Sequence, residues 1–302
     1  MDKLSSLVSL IAPRGTVDLH CRFSGKWESD HAQVPEGVIP YHVILDGQAR
    51  LFTTDAQWHL SAGDVVLMPA GSPHRLKGLI ESGVEAPLSS RDNGAVTEMV
   101  RAGQGVELAM LCGEFRVGAP GALLLEGTPE LLRVRTGERA DCVELRELMT
   151  MLGRESISGQ PGSLAIVREL STTLFTLLLR ALVTENEPAP GLLSLMADAK
   201  LAPAIAAVLA EPQTNWTNEA MATLCHVSRA TFARHFRELY HLAPLEWVTQ
   251  IRMVLAARLL REKAYGIARI AEECGYQSQA AFSRAFKLHQ GHTPGQFRQL
   301  HS

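Results

Sequence analysis

Three stretches of the chain differ in how hydrophobic and polar positions follow one another. Residues 1–80 hold short apolar and β-branched runs punctuated by Gly63, Gly71 and Pro73, and this pattern predicts strands joined by tight turns. Residues 81–105 are mostly small and polar and predict a long loop, after which VELAMLCGEFRV predicts another strand. From about residue 141 to the C-terminus apolar residues recur at helical spacing, so this part is expected to be helical.

A break in the helical region divides the chain. The segment TENEPAPG, residues 184–191, contains two prolines, one glycine and few apolar side chains, and it is typical of a linker. The sequence therefore predicts a multidomain protein, with a β-rich domain and two helices over 1–183, a linker over 184–191 and a helical domain over 192–302. The helix before the linker carries a broad leucine-rich stripe, which fits packing on its own domain, an interface between two copies, or both.

Composition and charge restrict the class of protein to which this chain can belong. With 46% hydrophobic and 20% charged residues, the 302-residue chain fits a globular protein of two domains. No apolar run reaches the roughly 18 to 20 residues that span a bilayer, and the start of the chain does not read as a signal peptide. Residues 201–302 hold 11 Lys and Arg against 7 Asp and Glu, although the whole chain has a net charge of −3. Positive charge is thus concentrated in the helical domain, as contact with phosphates requires.

The cysteines favour a reducing compartment. They are few, odd in number and far apart, which is neither a disulfide scaffold nor a zinc-ribbon pattern. The expected location is therefore the cytoplasm. They are Cys21, Cys112, Cys142, Cys225 and Cys274.

Two stretches of the helical domain repeat each other. Matching residues recur at a constant offset of 50: Ser228, Phe232, Arg234, Phe236 and Pro244 correspond to Ser278, Phe282, Arg284, Phe286 and Pro294. Each copy predicts a short amphipathic helix, a tight turn, a serine able to cap the next helix, and a second helix. These parts form a helix-turn-helix unit, so the domain is predicted to contain two.

The second helix of each unit is the predicted contact with double-stranded DNA. Its phenylalanines at i and i+4 must face the core, which leaves the opposite face open. Arginine there can bind guanine or phosphate, glutamine can bind adenine, and alanine allows close approach to the groove. The alternative is a helical repeat whose arginine-dotted face is merely solvated. The predicted DNA-binding residues are Ser228, Arg229, Ala230, Ala233, Arg234 and Arg237, and then Ser278, Gln279, Ala280, Ser283, Arg284 and Lys287.

A helix is predicted between the two units, over PLEWVTQIRMVLAARLLREKA at 244–264. About 20 residues in a helix span ~30 Å. This length is close to the ~34 Å of one turn of B-DNA. The helix could therefore hold two recognition helices over successive segments of the major groove on one face of the DNA.

The repeat lies within a longer pattern formed by WTNEAMATLCHVSRATFARHFRELY, IRMVLAARLL and IARIAEECGYQSQAAFSRAFKLHQGHTPGQFR. Over residues 200–302 this pattern resembles the DNA-binding domain of the AraC/XylS family of bacterial transcription regulators. The resemblance implies recognition helices that begin near Ser228 and Ser278, an operator with asymmetric half-sites, and activation of neighbouring genes, hence RNA polymerase as a partner. His226 stands where the family has a turn glycine, so a strained positive φ is expected there.

The β-rich half contains a second resemblance. Residues 63–74, GDVVLMPAGSPH, resemble the second motif of the cupin barrels, in which glycine, proline, glycine and histidine recur at these spacings. The first cupin motif is weaker, because Gly47 closes it but its paired histidines are missing and Pro40 stands where a glutamate is expected. The resemblance implies a cupin-like β-barrel with a helical hairpin, and His42 and His74 are expected to point into that barrel.

One interpretation of these inward histidines is that they bind a metal ion. Cys21, His42 and His74 are the candidate ligands, with one zinc ion expected and His20 or His31 as a distant fourth ligand. In the other interpretation, His42 and His74 bond to the backbone or line a cavity for a small organic effector. A metal-dependent cupin enzyme fused to a DNA-binding domain is a further alternative, but the degraded first motif and the fused domain argue against catalysis.

The N-terminal half is also similar to the reactive-chlorine-responsive regulators of the AraC/XylS family. SLIAPRGTVDLHC, AGDVVLMPAGSPHRL, LCGEF and QPGS carry the resemblance to the cupin subtype of that family, and the similarity to its reactive-chlorine-responsive members rests on Cys21, His42 and His74. It motivates the hypothesis that Cys21 is a redox switch with Cys112 as its partner, since a thiol near histidine and metal can be held as a reactive thiolate. The opposite interpretation of Cys112 is a buried, inert thiol. The sequence thus predicts a transcription activator controlled at its cupin domain by a small effector or by oxidant and metal chemistry.

Overall fold

The computed structural model describes residues 2–123, 125–137, 139–185, 187–262 and 265–300. By packing, the chain separates into two units, which we call the helical unit (1–12, 117–128 and 183–302) and the barrel unit (13–116 and 129–182). The segments 1–12 and 117–128, which the sequence places in the 1–183 domain, thus pack with the C-terminal helices. None of the helices in the described ranges combines the length and the apolar character needed to cross a bilayer.

The helices and strands follow one another along the chain with short connections. The described helices are α1 (Lys3–Ile11), α2 (Gly118–Leu123), α3 (Val143–Ile157), α4 (Ser163–Val183), α5 (Leu192–Ala197), α6 (Ala202–Ala210), α7 (Asn218–Leu224), α8 (Arg229–Leu239), α9 (Pro244–Glu262), α10 (Ile267–Glu273), α11 (Gln279–Gln290) and α12 (Pro294–Leu300). The described strands are β1 (Arg14–Phe23), β2 (Glu28–His31), β3 (Val38–Asp46), β4 (Gln48–Phe52), β5 (Gln57–Ser61), β6 (Asp64–Leu67), β7 (His74–Lys77), β8 (Ser89–Asp92), β9 (Thr97–Arg101), β10 (Leu108–Arg116) and β11 (Leu132–Arg135).

Two β-sheets build the barrel unit. The larger sheet has the strand order β11-β6-β3-β10-β1-β9-β8, and the smaller has the order β2-β7-β4-β5. Both sheets contribute to one apolar core, in which Leu51 and Leu76 of the smaller sheet and Val66 of the larger are fully buried. Inward and outward residues alternate along a strand, so this core fixes which side chains enter the barrel.

The helical hairpin of α3 and α4 belongs to the barrel unit. Phe175 of α4 packs on Phe115 of β10 with ring centroids 5.1 Å apart, and Phe115 stacks on Tyr41 of β3 at 4.3 Å. The hydroxyl groups of Tyr41 and Ser171 lie 2.9 Å apart in a hydrogen bond. The interpretation of the α4 stripe as packing on its own domain is therefore confirmed for its inner face.

A long helix, α9, is central to the helical unit. Its apolar side chains Met253, Ala257 and Leu260 are fully buried in a core shared with α10, α11 and α12. Helix α1 also packs on α9 and on α6. The prediction of strands near the start of the chain is wrong at Lys3–Ile11, which forms a helix capped by the side chain of Asp2.

Part of the predicted loop at 81–105 is also structured. Strands β8 and β9 pair in antiparallel register, and β9 adds to β1 in parallel. Their side chains are exposed or half-buried, so the segment shows no apolar alternation in its sequence. The backbone hydrogen bonds to β1 stabilise strands that the hydrophobic pattern could not predict.

Candidate functional site

The second helix of the first repeat, α8, begins as the sequence predicts. Ser228 is its N-cap, and the serine Oγ accepts a hydrogen bond from the backbone N–H of Thr231 at 3.2 Å. Phe232 and Phe236 are fully buried. The predicted DNA-binding residues lie on the opposite side: Ser228, Arg229, Ala230, Arg234 and Arg237 are exposed, and Ala233 is half-buried.

The second repeat builds α11 in the same way. Ser278 is the N-cap, and its Oγ accepts a hydrogen bond from the backbone N–H of Ala281 at 3.2 Å. Phe282 and Phe286 are fully buried. The outward residues are Ser278, Gln279, Ala280, Arg284 and Lys287, which are exposed, and Ser283, which is half-buried.

The turns of the two units differ at one backbone position. His226 has a φ of 53°, which lies in the left-handed region, and Gly275 takes the equivalent place with a φ of 75°. The expectation of a positive φ at His226 is confirmed, and this conformation costs a residue with a Cβ about 1–2 kcal/mol. The second turn is also one residue longer, because Gln277 stands between the turn and the capping serine.

The exposed cations of α8 and α11 differ in their surroundings. Arg234 lies 3.8 Å from the carboxylate of Glu238 on the next turn of α8, and both side chains are largely exposed. Within the described ranges, no ion pair involves Arg284 or Lys287 of α11. These two side chains are therefore available to bases and phosphates without first breaking a contact in the protein.

Two cysteines meet inside the barrel unit. In the ladder of β1 and β10, Cys21 is opposite Met110 and Cys112 is opposite Leu19, so both cysteines project from one face as diagonal neighbours. Both are free thiols and buried. Interaction with the neighbouring Cys21 thiol, followed by burial, raises the pKa of the Cys112 thiol well above its usual range.

A cluster of three histidines lies beside this pair. The ring nitrogens of His31, His42 and His74 that could bind a metal lie within 4.8 Å of one another. His42 Nε2 is 2.8 Å from His74 Nε2, and His42 Nδ1 is 3.1 Å from Cys112 Sγ. Cys112 thus links the thiol pair to the histidine cluster.

Burial keeps these imidazoles neutral. Burial is the main cause that lowers the pKa of His31 to about 4 and the pKa of His42 well below its usual range. The neighbouring histidines lower both pKa values further. The pKa of His74 is also lowered, mainly by burial. A neutral imidazole has a free ring nitrogen, so each ring is in the form that binds metals.

The predicted metal ligands are brought together only in part. His42 and His74 lie in contact, but Cys21 pairs with Cys112 and is not a member of the histidine cluster. His31, a distant fourth candidate in the sequence, takes that third position because β2 and β7 set it directly opposite His74. The remaining cysteines, Cys142, Cys225 and Cys274, are buried, each with a pKa raised mainly by burial.

Comparison with known proteins identifies both halves of the chain. Residues 2–184 match the cupin family model and residues 221–300 match the helix-turn-helix domain model. The chain is 31% identical to an HTH-type transcriptional regulator of Haemophilus influenzae, over 99% of this chain and 98% of the relative. It is 32% identical, over 99% of this chain and 98% of the relative, to RclR of Escherichia coli, named an RCS-specific HTH-type transcriptional activator. The chain belongs to the AraC-type transcriptional regulators.

The relationship extends to the HTH-type transcriptional regulator MtrA of Neisseria gonorrhoeae, which is 29% identical over 99% of this chain and 98% of the relative. The regulator is therefore a DNA-binding protein with an N-terminal cupin domain, and it is not an enzyme. The relationship favours this interpretation over the alternative of a metal-dependent cupin enzyme, because the full-length relatives are named as transcription regulators.

Proposed function

We propose that the regulator activates transcription from an operator that α8 and α11 read together, and that oxidation of Cys21 and Cys112 controls this activity. The observation that carries the redox part is the pair of buried free thiols at diagonal positions of β1 and β10, with Cys112 next to His42. The similarity to the RCS-specific activator RclR supports it. Diagonal neighbours of an antiparallel pair lie about 7–8 Å apart, so a disulfide between the two cysteines would require a shift of the backbone.

Hypochlorous acid, a reactive chlorine species, supplies the oxidising equivalents in this proposal. One thiol reacts with it to give a sulfenyl chloride and water. The second thiol then displaces chloride, which forms the disulfide and releases a proton. Over both steps two thiols are oxidised and chlorine is reduced to chloride. Strands β1 and β10 carry the new bond, and a shift between them would alter the packing of the barrel.

Cys21→Ser is expected to abolish induction by hypochlorous acid while operator binding by the reduced protein stays unchanged. Serine keeps the size of the side chain but cannot form a disulfide. Induction of a reporter gene measures the effect, and mass spectrometry of the oxidised wild type should show a Cys21–Cys112 link. Cys142→Ser is the matched control, because Cys142 is also buried but lies outside the pair. Full induction of Cys21→Ser, with a responsive wild type, would reject the switch and favour a small effector instead.

Operator reading assigns different roles to two cations of α11. Arg284→Ala should cost about 1–3 kcal/mol of binding to the operator and relax the base preference at one position, if its guanidinium contacts guanine. Lys287→Ala should weaken binding to every sequence equally, because a phosphate contact carries no sequence information. Binding titrations on operator and random DNA compare the two variants, with exposed Arg154→Ala as the control. An equal loss on both DNAs for Arg284→Ala would assign that side chain to phosphate alone.

Partners and location follow from activation at an operator. We infer that the DNA-bound regulator contacts RNA polymerase and that it works in the cytoplasm, where both are found. A second copy of the chain is a further proposed partner. It is supported by apolar side chains on the outer face of the helical hairpin, where Met151 and Ile157 of α3 and Leu164 of α4 are each at least 39% exposed.

A further inference from the structure

One end of the barrel unit opens into a cavity of about 380 Å³. His31 and His74 line it, together with Phe52, Arg75 and Lys77. His42 lies behind these two histidines and is almost fully buried. The histidine cluster is therefore reached from the cavity on one side and closed by the barrel core on the other.

We propose that His31, His42 and His74 bind one divalent transition-metal ion, with zinc as the expected ion, and that a ligand from the cavity fills the fourth position. This site differs from the ligand set expected from the sequence, because Cys21 takes no part in it. It also differs from the cupin motif, since neither His31 nor His42 occupies a position of that motif. The inference does not depend on thiol oxidation.

The spacing of the ring nitrogens suits such an ion. Zinc–nitrogen bonds of about 2.0 Å in a tetrahedral site place the ligand nitrogens about 3.3 Å apart. The nitrogens of the cluster are separated by 2.8 Å for His42 and His74, and by no more than 4.8 Å for any pair. Rotations of the rings by small angles would therefore bring all three to bonding distance.

Hydrogen bonds on the far sides of two rings orient them toward a common point. His74 Nδ1 lies 3.0 Å from the carbonyl oxygen of Ser72, which fixes the proton on Nδ1 and makes Nε2 the unprotonated nitrogen, able to accept from His42 or to bind a metal. His42 Nδ1 faces Cys112 Sγ at 3.1 Å, so metal binding at Nε2 would make Nδ1–H the donor to sulfur. Metal-binding histidines almost always make a hydrogen bond of this kind through the other nitrogen.

Charge at the cavity indicates what the fourth ligand is. Three neutral imidazoles leave the full charge of a divalent ion uncompensated, so water or a small anion is favoured in the open position. Arg75 and Lys77 line the cavity, but they pair with Glu28 and with Asp30, which also lines it, so the lining adds little net charge to that of the ion. A three-histidine site with an exchangeable ligand therefore fits the cavity better than a closed structural site.

Metal binding is tested on the full-length, reduced protein after treatment with a chelator, by titration with Zn²⁺ in a calorimeter. The expected result is one ion per chain. His31→Ala should lower the affinity at least about 100-fold, since losing a direct ligand should exceed the 10–100-fold effect of losing its hydrogen-bond partner. His59→Ala, an exposed histidine on β5 of the same unit, should bind like the wild type. No uptake by the wild type, or equal uptake by His31→Ala, would overturn the proposal.

Substitution of Co²⁺ for zinc gives a spectroscopic test in which the three histidines remain unchanged. Co²⁺ in the wild type should show the visible d–d bands of a tetrahedral nitrogen site without a thiolate-to-cobalt charge-transfer band. Cys21→Ser should give the same spectrum. A charge-transfer band that disappears in Cys21→Ser would place Cys21 among the ligands and reject the three-histidine set. Neither result decides the outcome of the disulfide experiment, because that experiment detects the Cys21–Cys112 link directly.

Discussion

Phe286→Ala is expected to abolish operator binding and to lower the free energy of unfolding of the helical unit by about 3–5 kcal/mol. The Phe286 ring is fully buried, with ring centroids 5.7 Å from Phe282 and 5.3 Å from Phe297. Its removal would leave a cavity under α11 and loosen the helix that carries Gln279 and Arg284. Denaturant unfolding and operator titration measure the two effects.

The control for this substitution lies two residues further on the same helix. Leu288 is 84% exposed, so Leu288→Ala should change stability by less than about 0.5 kcal/mol. If Phe286→Ala bound the operator and were also as stable as the wild type, the phenylalanines would not be what holds α11 in place.

Gly113→Ala is expected to destabilise the barrel unit by about 3 kcal/mol, at the upper end of the usual range for overpacking. A Cβ at this position would overlap the backbone oxygen of Thr16 and lie 2.8 Å from the Tyr41 ring. Strand β10 would have to move away from β1 and β3, and Cys112, the preceding residue, would move with it. The variant should therefore also form the Cys21–Cys112 disulfide more slowly.

Thermal unfolding and mass spectrometry after oxidation measure these two effects. Gly137→Ala is the matched control, because an alanine Cβ there would meet no atom within 4 Å. If Gly113→Ala were as stable as the wild type, β10 could shift without loss of stability. That result would contradict the tight contact of β10 with β1 and β3.

The DNA-binding half could be predicted closely because its signals are local. A serine cap acts on a backbone group three residues away, and phenylalanines four residues apart define a helix face without knowledge of the rest of the fold. The sequence therefore placed Ser278, Phe282 and Phe286 correctly. The left-handed turn at His226 was predicted on a different basis, from the resemblance to the AraC/XylS family, which has a glycine at that position.

The sensory half could be predicted only in outline, because its key contacts depend on strand register. His31 comes next to His74 through the pairing of β2 with β7, more than 40 residues apart in sequence. Cys21 comes next to Cys112 through the pairing of β1 with β10. A register shift by one residue would turn each of these side chains to the other face of its sheet, and the sequence alone carries no clear signal of register. Inward orientation of His42 and His74 was predictable; the third member of the cluster was not.

The contact between Cys112 and His42 couples oxidation of the thiol pair to binding of the proposed metal ion. A disulfide at Cys112 would remove or weaken the sulfur acceptor that faces His42 Nδ1 at 3.1 Å, and the oxidised protein would then hold the proposed metal less tightly. Thermodynamic linkage is reciprocal, so the bound ion would make the thiols harder to oxidise by the same free energy. The supply of metal in the cell would thereby shift the equilibrium between the reduced and the disulfide form of the regulator.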